Sequence, residues 1–182
     1  MKKILIVVDM QRDFVDGALG TPEAQAIVPA AAAKIRAFDG DIYVTLDTHF
    51  DNYMSTSEGR HLPVPHCIRN TPGWRLNDEI NAALAGRRYT VVEKPSFGSL
   101  ELPKLIAESM TGDEEMSIDL IGLCTDICVV SNALRLRFFS ATPRKTAGMP
   151  AVLPVSGEKP LTAHKKEENV MEKTIKVEGM MC

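Results

Sequence analysis

Residues 117–130 read SIDLIGLCTDICVV, an apolar run followed by a short polar turn that contains two cysteines. The first six of these residues have the pattern of a buried strand, and apolar residues from Cys128 to Phe139 recur at helical spacing. The pattern therefore places Cys128 at the N-terminus of a helix. There, free backbone N–H groups and the helix dipole lower a thiol's pKa, so we expect Cys128 to be a reactive nucleophile.

The rest of the chain also alternates between strand and helix patterns. A long polar loop, Asp51–Trp74, interrupts the alternation, and loops of that length inside a compact domain are usually functional or disordered. The alternation predicts the α/β class, with a doubly wound, mainly parallel sheet between two layers of helices. The predicted strands are Lys3–Val8, Ile42–Leu46, Tyr89–Val92 and Ile118–Ile121, and the other predicted helices are Pro22–Phe38, Leu76–Leu84 and Leu100–Met110.

Composition indicates a soluble globular protein. The net charge of -3 offers no basic surface for nucleic acid, and no apolar run approaches the ~20 residues that span a bilayer. Asp9 ends the first apolar run early, which argues against a signal peptide and favours the cytoplasm. The four cysteines form no Cys-x-x-Cys pair, so we expect free thiols. The charge and the short apolar runs together predict neither nucleic-acid nor membrane partners.

Polar or reactive residues follow each predicted strand, at the edge where parallel sheets bind ligands. Asp9 closes the first strand, where burial should raise its pKa and suit it to act as a general base. The alternative for Asp9 is a helix or turn cap. Lys94 follows the third strand and can favour a thiolate at Cys128, although a solvated lysine beside Glu93 is an equal alternative.

The motifs DMQRDF (residues 9–14) and GLCTDICV (residues 122–129), together with Lys94, resemble those of the isochorismatase-like cysteine hydrolases, which have a Rossmann-like fold. The resemblance covers residues 1 to about 137 and implies a catalytic triad of Asp9, Lys94 and Cys128. It also implies a cis peptide bond at Leu123–Cys124 and an oxyanion hole formed by the backbone N–H groups of Cys124 and Cys128. Cys128 would attack an amide carbonyl and form a thioester.

A second constellation suits a divalent metal. Asp47, His49 and His66 offer one carboxylate and two imidazoles, but their separation in sequence leaves chance matches and loop lining as alternatives. In metal-dependent nicotinamidases of the family, an Asp-x-His and a later Pro-His hold a metal, sometimes with an intervening glutamate such as Glu58. The resemblance therefore implies zinc, with manganese or iron as alternatives, bound to the pyridine nitrogen of the substrate, and no organic cofactor.

The expected activity is hydrolysis of nicotinamide or a similar small amide. Phe14 is the best candidate to pack on a flat substrate ring, and Phe97 is a weaker one. Three alternatives stay open: isochorismatase activity, N-carbamoyl amidase activity, and a binding protein impaired in catalysis by an altered C-terminus. Family analogy also favours a homo-oligomer.

The pattern changes after Arg137, so we predict a hydrolase domain over residues 1–137 and an atypical tail over residues 138–182. Residues 140–166 contain four prolines and lack clear apolar periodicity, which indicates loop or disorder. Residues 171–182 resemble the opening strand of a heavy-metal-associated domain. Whether the tail is native or results from a shifted reading frame stays open; in either case, the predicted fourth strand would have an exposed edge.

Overall fold

The computed structural model describes residues 1–111, 115–141 and 174–177. Within these residues, parallel strands form one sheet in the order β3-β2-β1-β4-β5. The chain adds β2 and then β3 on one side of β1, and it then crosses to the other side of β1 to add β4 and β5. The direction in which strands are added therefore reverses between β1 and β4. The strands are β1 (Lys2–Val8), β2 (Asp41–Asp47), β3 (Tyr89–Lys94), β4 (Met116–Gly122) and β5 (Thr174–Val177).

Helices cover both faces of the sheet, and residues 4–8 of β1 lie completely buried between them. Its side chains alternate: Leu5 and Val7 pack in a core with α2 and α4, whereas Ile4, Ile6 and Val8 pack in a second core with α5 and α6. This arrangement confirms the predicted three-layer fold. The helices are α1 (Arg12–Val15), α2 (Pro22–Ala37), α3 (Ser57–His61), α4 (Asp78–Leu84), α5 (Leu102–Glu108) and α6 (Val130–Ala141).

Two local features differ from the sequence prediction. The predicted loop Asp51–Trp74 contains a 3₁₀ turn, Tyr53–Ser55, and the short helix α3, which begins after a side-chain cap from Thr56. The helix predicted to begin at Cys128 instead begins as a π-helical turn, Thr125–Val129, followed by α6. Cys128 therefore lies inside this turn rather than at the start of a regular helix.

The end of β4 packs closely against β1. Gly122 has a φ of 127°, and a Cβ atom there would lie 2.0 Å from the carbonyl oxygen of Val8. Only glycine combines this backbone conformation with so close an approach. Gly122 thus brings the turn that carries Cys128 beside the end of β1.

Most of the predicted tail lies outside the described residues. Its short strand β5 pairs in parallel with β4, which covers the β4 edge predicted to be exposed. The domain boundary near residue 137, and the resemblance of residues 171–182 to a heavy-metal-associated domain, stay predictions. Among the helices of the described part, none has the length and apolar character needed to cross a membrane.

Candidate active site

Three side chains from separate strand ends meet at the switch between β1 and β4. Asp9 follows β1, Lys94 ends β3, and Cys128 lies in the turn after β4. Nζ of Lys94 lies 2.7 Å from Oδ2 of Asp9 and 3.7 Å from Sγ of Cys128. All three residues are buried. The structure therefore brings together the general-base candidate, the candidate ammonium group and the nucleophile candidate that the sequence predicted.

Asp9 is held by its neighbours on β2 as well as by Lys94. Its backbone has a φ of 49°, and its N–H donates to the carbonyl of Thr45 at 3.2 Å. Thr45 Oγ1 donates to Oδ1 of Asp9 at 2.7 Å. Burial raises the pKa of Asp9 above its ordinary value, although the charge of Lys94 opposes that shift. The raised pKa agrees with the prediction and suits a group that accepts and returns a proton.

Lys94 lies between two carboxylates. Besides Asp9, it contacts Oδ1 of Asp47 at 3.2 Å. Burial alone would lower the pKa of Lys94, but the carboxylates of Asp9 and Asp47 outweigh burial and raise it. Lys94 therefore stays a charged ammonium group, and the alternative of a solvated lysine is wrong.

The thiol of Cys128 behaves differently from the sequence prediction. Burial, and then the negative charge of Asp9, raise the pKa of Cys128 despite the opposing charge of Lys94. Lys94 does favour the thiolate, as expected, but burial and the charge of Asp9 outweigh it, so the pKa of Cys128 is raised and not lowered. A buried thiol beside a carboxylate remains protonated until a base removes its proton.

Sequence reasoning missed Asn132, a completely buried residue of α6. Its Nδ2 donates to the carbonyl of Cys128 at 2.8 Å and to the carbonyl of Phe97 at 3.3 Å, and its Oδ1 accepts from the N–H of Ser99 at 3.0 Å. Asn132 thus ties the nucleophile turn to the loop after β3. A polar residue on the otherwise apolar face of the predicted helix was the available signal.

Four residues beside the triad form a group with metal-ligand chemistry. They offer two imidazole nitrogens and two carboxylate oxygens, and these atoms all lie within 4.8 Å of one another. Glu58 Oε1 lies 3.7 Å from Nε2 of both histidines, and His66 Nε2 lies 3.7 Å from Oδ2 of Asp47. Zinc–donor distances of about 2.0–2.2 Å place two donors on one tetrahedral ion about 3.4 Å apart, so these three spacings of 3.7 Å lie close to those of a shared cation. The group consists of Asp47, His49, Glu58 and His66.

The hydrogen bonds of the two histidines leave their Nε2 atoms directed at the group of four. His66 Nδ1 donates to the carbonyl of Val64 at 2.8 Å, so Nε2 is the nitrogen that faces the other three residues. His49 Nε2 lies 2.8 Å from Oδ2 of Asp47, yet it has no hydrogen-bond partner of suitable geometry among the described residues. Burial alone would lower the pKa of His49, but the carboxylates of Asp47 and Glu58 raise it.

The two aromatic candidates lie in different places. Phe14 is partly buried, with its ring centroid 5.4 Å from that of His66. Phe97 is half-exposed and lines a groove with Leu134 and Phe138 of α6, and no triad residue lines this groove. The Leu123–Cys124 peptide bond is cis, as the resemblance implied.

The profile of the isochorismatase domain matches residues 3–138. The chain belongs to the isochorismatase family. The matched region contains every candidate site residue named above and ends within α6. Family membership therefore rests on the part of the chain that builds the site.

Several relatives of this isochorismatase domain carry the names of amidases. Nicotinamidase from Saccharomyces cerevisiae is 24% identical in an alignment that covers 72% of this chain and 80% of the relative. The crystal structure of nicotinamidase PncA from Bacillus subtilis is 30% identical, covers 74% of this chain and 77% of its own, and has a TM-score of 0.59. Pyrazinamidase from Pyrococcus horikoshii, solved in complex with zinc, is 28% identical, covers 76% of this chain and 80% of its own, and has a TM-score of 0.58.

Proposed function

We propose that this protein is a cysteine-dependent amidohydrolase that acts on nicotinamide or a similar small amide. The convergence of Asp9, Lys94 and Cys128 beside the group of four metal-binding residues carries the proposal. The nicotinamidase and pyrazinamidase relatives support the same substrate class.

In the first half of the reaction, Asp9 removes the proton from the Cys128 thiol as sulfur attacks the amide carbon. The carbonyl electrons move to oxygen and form a tetrahedral oxyanion. When this intermediate collapses, the carbon–nitrogen bond breaks and the leaving nitrogen takes the proton from Asp9, so ammonia departs and a thioester remains. Lys94 stays charged throughout and balances the negative charge that moves between sulfur and carboxylate.

In the second half, Asp9 accepts a proton from water as the water oxygen attacks the thioester carbon. A second oxyanion forms and collapses, the carbon–sulfur bond breaks, and sulfur recovers the proton from Asp9. The products are the free carboxylic acid and the resting thiol. Asp9 therefore acts twice in the same roles, which suits a carboxyl group whose pKa burial raises.

Both oxyanions need hydrogen-bond donors. By analogy with the family, we assign this role to the backbone N–H groups of Cys124 and Cys128. Such a donor typically contributes about 3 kcal/mol to transition-state stabilisation.

The proposed metal is zinc, with manganese and iron as the other candidates. Asp47, His49, His66 and Glu58 would hold it, and their mixed nitrogen and oxygen donors suit any of these ions. When bound, the metal supplies a Lewis-acid position for a ring nitrogen of the substrate. Phe14, whose ring centroid lies 5.4 Å from that of His66, would pack on a flat substrate ring beside Cys128.

Ammonia release from nicotinamide tests the proposal. We expect zinc-loaded protein to release ammonia, Cys128→Ala to lose this activity, and Cys182→Ser, which removes a thiol at the last residue of the chain, to retain it. Mass spectrometry of protein quenched during turnover should show the acyl adduct on the peptide that contains Cys128. Release that survives in Cys128→Ala, or its absence from folded, zinc-loaded protein over a panel of small amides, would contradict the proposal and favour a non-catalytic binding protein.

A further inference from the structure

The short segment after β1 does more than supply Asp9. Gln11 is completely buried, and its amide makes three hydrogen bonds. Its Oε1 accepts from the backbone N–H of Asp47 at 2.7 Å, and its Nε2 donates to the carbonyl of Asp47 at 2.9 Å. Nε2 also donates to the carbonyl of Trp74 at 2.8 Å. The side chain of Gln11 therefore forms hydrogen bonds with both the backbone N–H and the backbone carbonyl of Asp47.

Asp13 holds the other half of the metal-binding group in a comparable way. Its Oδ2 accepts from the N–H of Cys67 at 2.7 Å, and Cys67 directly follows His66 with a φ of 47°. The N–H of Asp13 donates to the carbonyl of Gly73 at 3.0 Å. A Cβ atom at Gly73 would lie 2.1 Å from the Asp13 carboxylate, so the loop carrying His66 closes tightly around this side chain.

We propose that Gln11 and Asp13 are positioning residues that fix the metal ligands Asp47 and His66. This inference rests on the metal site of the proposed function. Asp47 ends β2 and His66 lies in a loop, so the two ligands reach the site from separate parts of the chain. Gln11 and Asp13 lie two residues apart, and they tie both parts to the turn that also carries Asp9.

Gln11 and Asp13 should strengthen metal binding because they hold the ligands in place before the cation binds. A cation gains most from ligands already held at the right separation, and loss of a partner that orients a ligand typically weakens metal binding about 10- to 100-fold. Gln11 contacts the Asp47 backbone and leaves both carboxylate oxygens of Asp47 to Lys94 and the histidines. Its removal should therefore weaken metal binding although no ligand atom is lost.

The test measures zinc affinity directly, by competition with a chromogenic chelator, on full-length protein freed of metal. Gln11→Met keeps the length and burial of the side chain but removes its three hydrogen bonds. Asp13→Ala removes the acceptor for Cys67, whereas Asp13→Asn retains one acceptor oxygen. Asn132→Leu is the matched control, because it removes a buried amide that binds the nucleophile turn instead of the metal ligands.

We expect the dissociation constant for zinc to rise about 10- to 100-fold in Gln11→Met and Asp13→Ala, and less than about threefold in Asp13→Asn and Asn132→Leu. Circular dichroism of the metal-free variants checks that they fold, and if Gln11→Met does not, the two Asp13 variants decide. Wild-type affinity in both Gln11→Met and Asp13→Ala would overturn the inference and leave the metal site intact. Failure of folded wild-type protein to bind zinc would instead refute the metal site itself.

Discussion

Nζ of Lys94 lies 2.7 Å from Oδ2 of Asp9, and both side chains are completely buried. Because both side chains are buried away from water, leaving either one charged without its partner would destabilise the folded protein. Lys94 has a second carboxylate within reach, Asp47, whereas the neutral thiol of Cys128 adds no charge. The resting site therefore contains one ammonium group between two carboxylates, and this balance determines how substitutions act.

Replacing the ammonium group should cost stability as well as activity. We expect Lys94→Met to lower the free energy of unfolding by about 3–5 kcal/mol, because it leaves the carboxylate of Asp9 buried without its partner. Urea titration at neutral pH measures this difference. An unchanged unfolding midpoint would show that the ion pair contributes nothing to the fold.

The stability of Lys94→Met should also depend on pH. Burial already raises the pKa of Asp9, and loss of the nearby positive charge raises it further. The folded variant therefore keeps a proton that the unfolded chain releases above about pH 4, so its stability falls as the pH rises, by up to about 1.4 kcal/mol per unit. Urea titrations from pH 5 to pH 8 check the slope. Stability should depend less steeply on pH in the double variant Lys94→Met/Asp9→Asn than in Lys94→Met. Equal slopes in the two variants would show that a group other than Asp9 causes the pH dependence.

Removing the base should impair chemistry more than removing its hydrogen-bond partner. We expect Asp9→Asn to reduce kcat/KM for nicotinamide about 100- to 10,000-fold, the usual contribution of general acid–base catalysis. Thr45→Val removes one hydrogen bond to Asp9, worth about 1 kcal/mol, and should reduce kcat/KM less than about tenfold. Steady-state ammonia assays distinguish the two. Equal losses would argue that Asp9 acts through position rather than proton transfer.

Zinc should stabilise the folded protein. At about 100 times its dissociation constant, a ligand that binds only the native state adds about 2.7 kcal/mol, which corresponds to a rise in Tm of about 5–10 °C for a domain of this size. We expect this shift in the wild type, its loss in His66→Ala, and its retention in His61→Ala, since His61 is exposed and bonded to Ser57. Differential scanning fluorimetry after chelation and reloading provides the measurement. A shift that persists in His66→Ala would place the metal elsewhere.

Two glycines with positive φ give a test of the fold. Gly122→Ala should destabilise the protein far more than Gly86→Ala, because a Cβ at Gly122 meets the carbonyl of Val8 whereas no atom lies within 4 Å of one at Gly86. We expect a cost of about 1–2 kcal/mol for Gly86→Ala, from its left-handed backbone alone. Urea titration compares them. Similar costs would mean that β4 moves away from β1 at little expense.

Much of the fold follows from local pattern. The strands and the two-sided packing were predictable because β1 and its neighbours are short, mainly apolar runs separated by helical periodicity. Helix α1 and the short helix α3 were not, since four or five residues carry too little periodicity to identify a helix. The π-helical turn was also missed, because it depends on which N–H groups the carbonyl of Cys124 accepts from.

Sequence reasoning found the side chains of the candidate site more readily than the groups that hold them. Asp9, Lys94 and Cys128 follow strands, and this position is visible in the sequence. Gln11 donates to the carbonyl of Asp47, which is 36 residues away, and Asn132 donates to the carbonyl of Cys128, which is 4 residues away. No spacing rule predicts these hydrogen bonds from the sequence. Burial is the largest cause of the raised pKa of Cys128, and the sequence alone did not show how deeply this thiol is buried.

The single side chain of Asp47 contacts Lys94 with one oxygen and His49 with the other. In evolution, a lineage could not lose the proposed metal site by replacing this aspartate without also removing one of the two carboxylates beside the buried lysine. Loss of His49, Glu58 or His66 carries no such second penalty. Descendants of this protein that lose the proposed metal site should therefore change those three positions first and keep the aspartate longest.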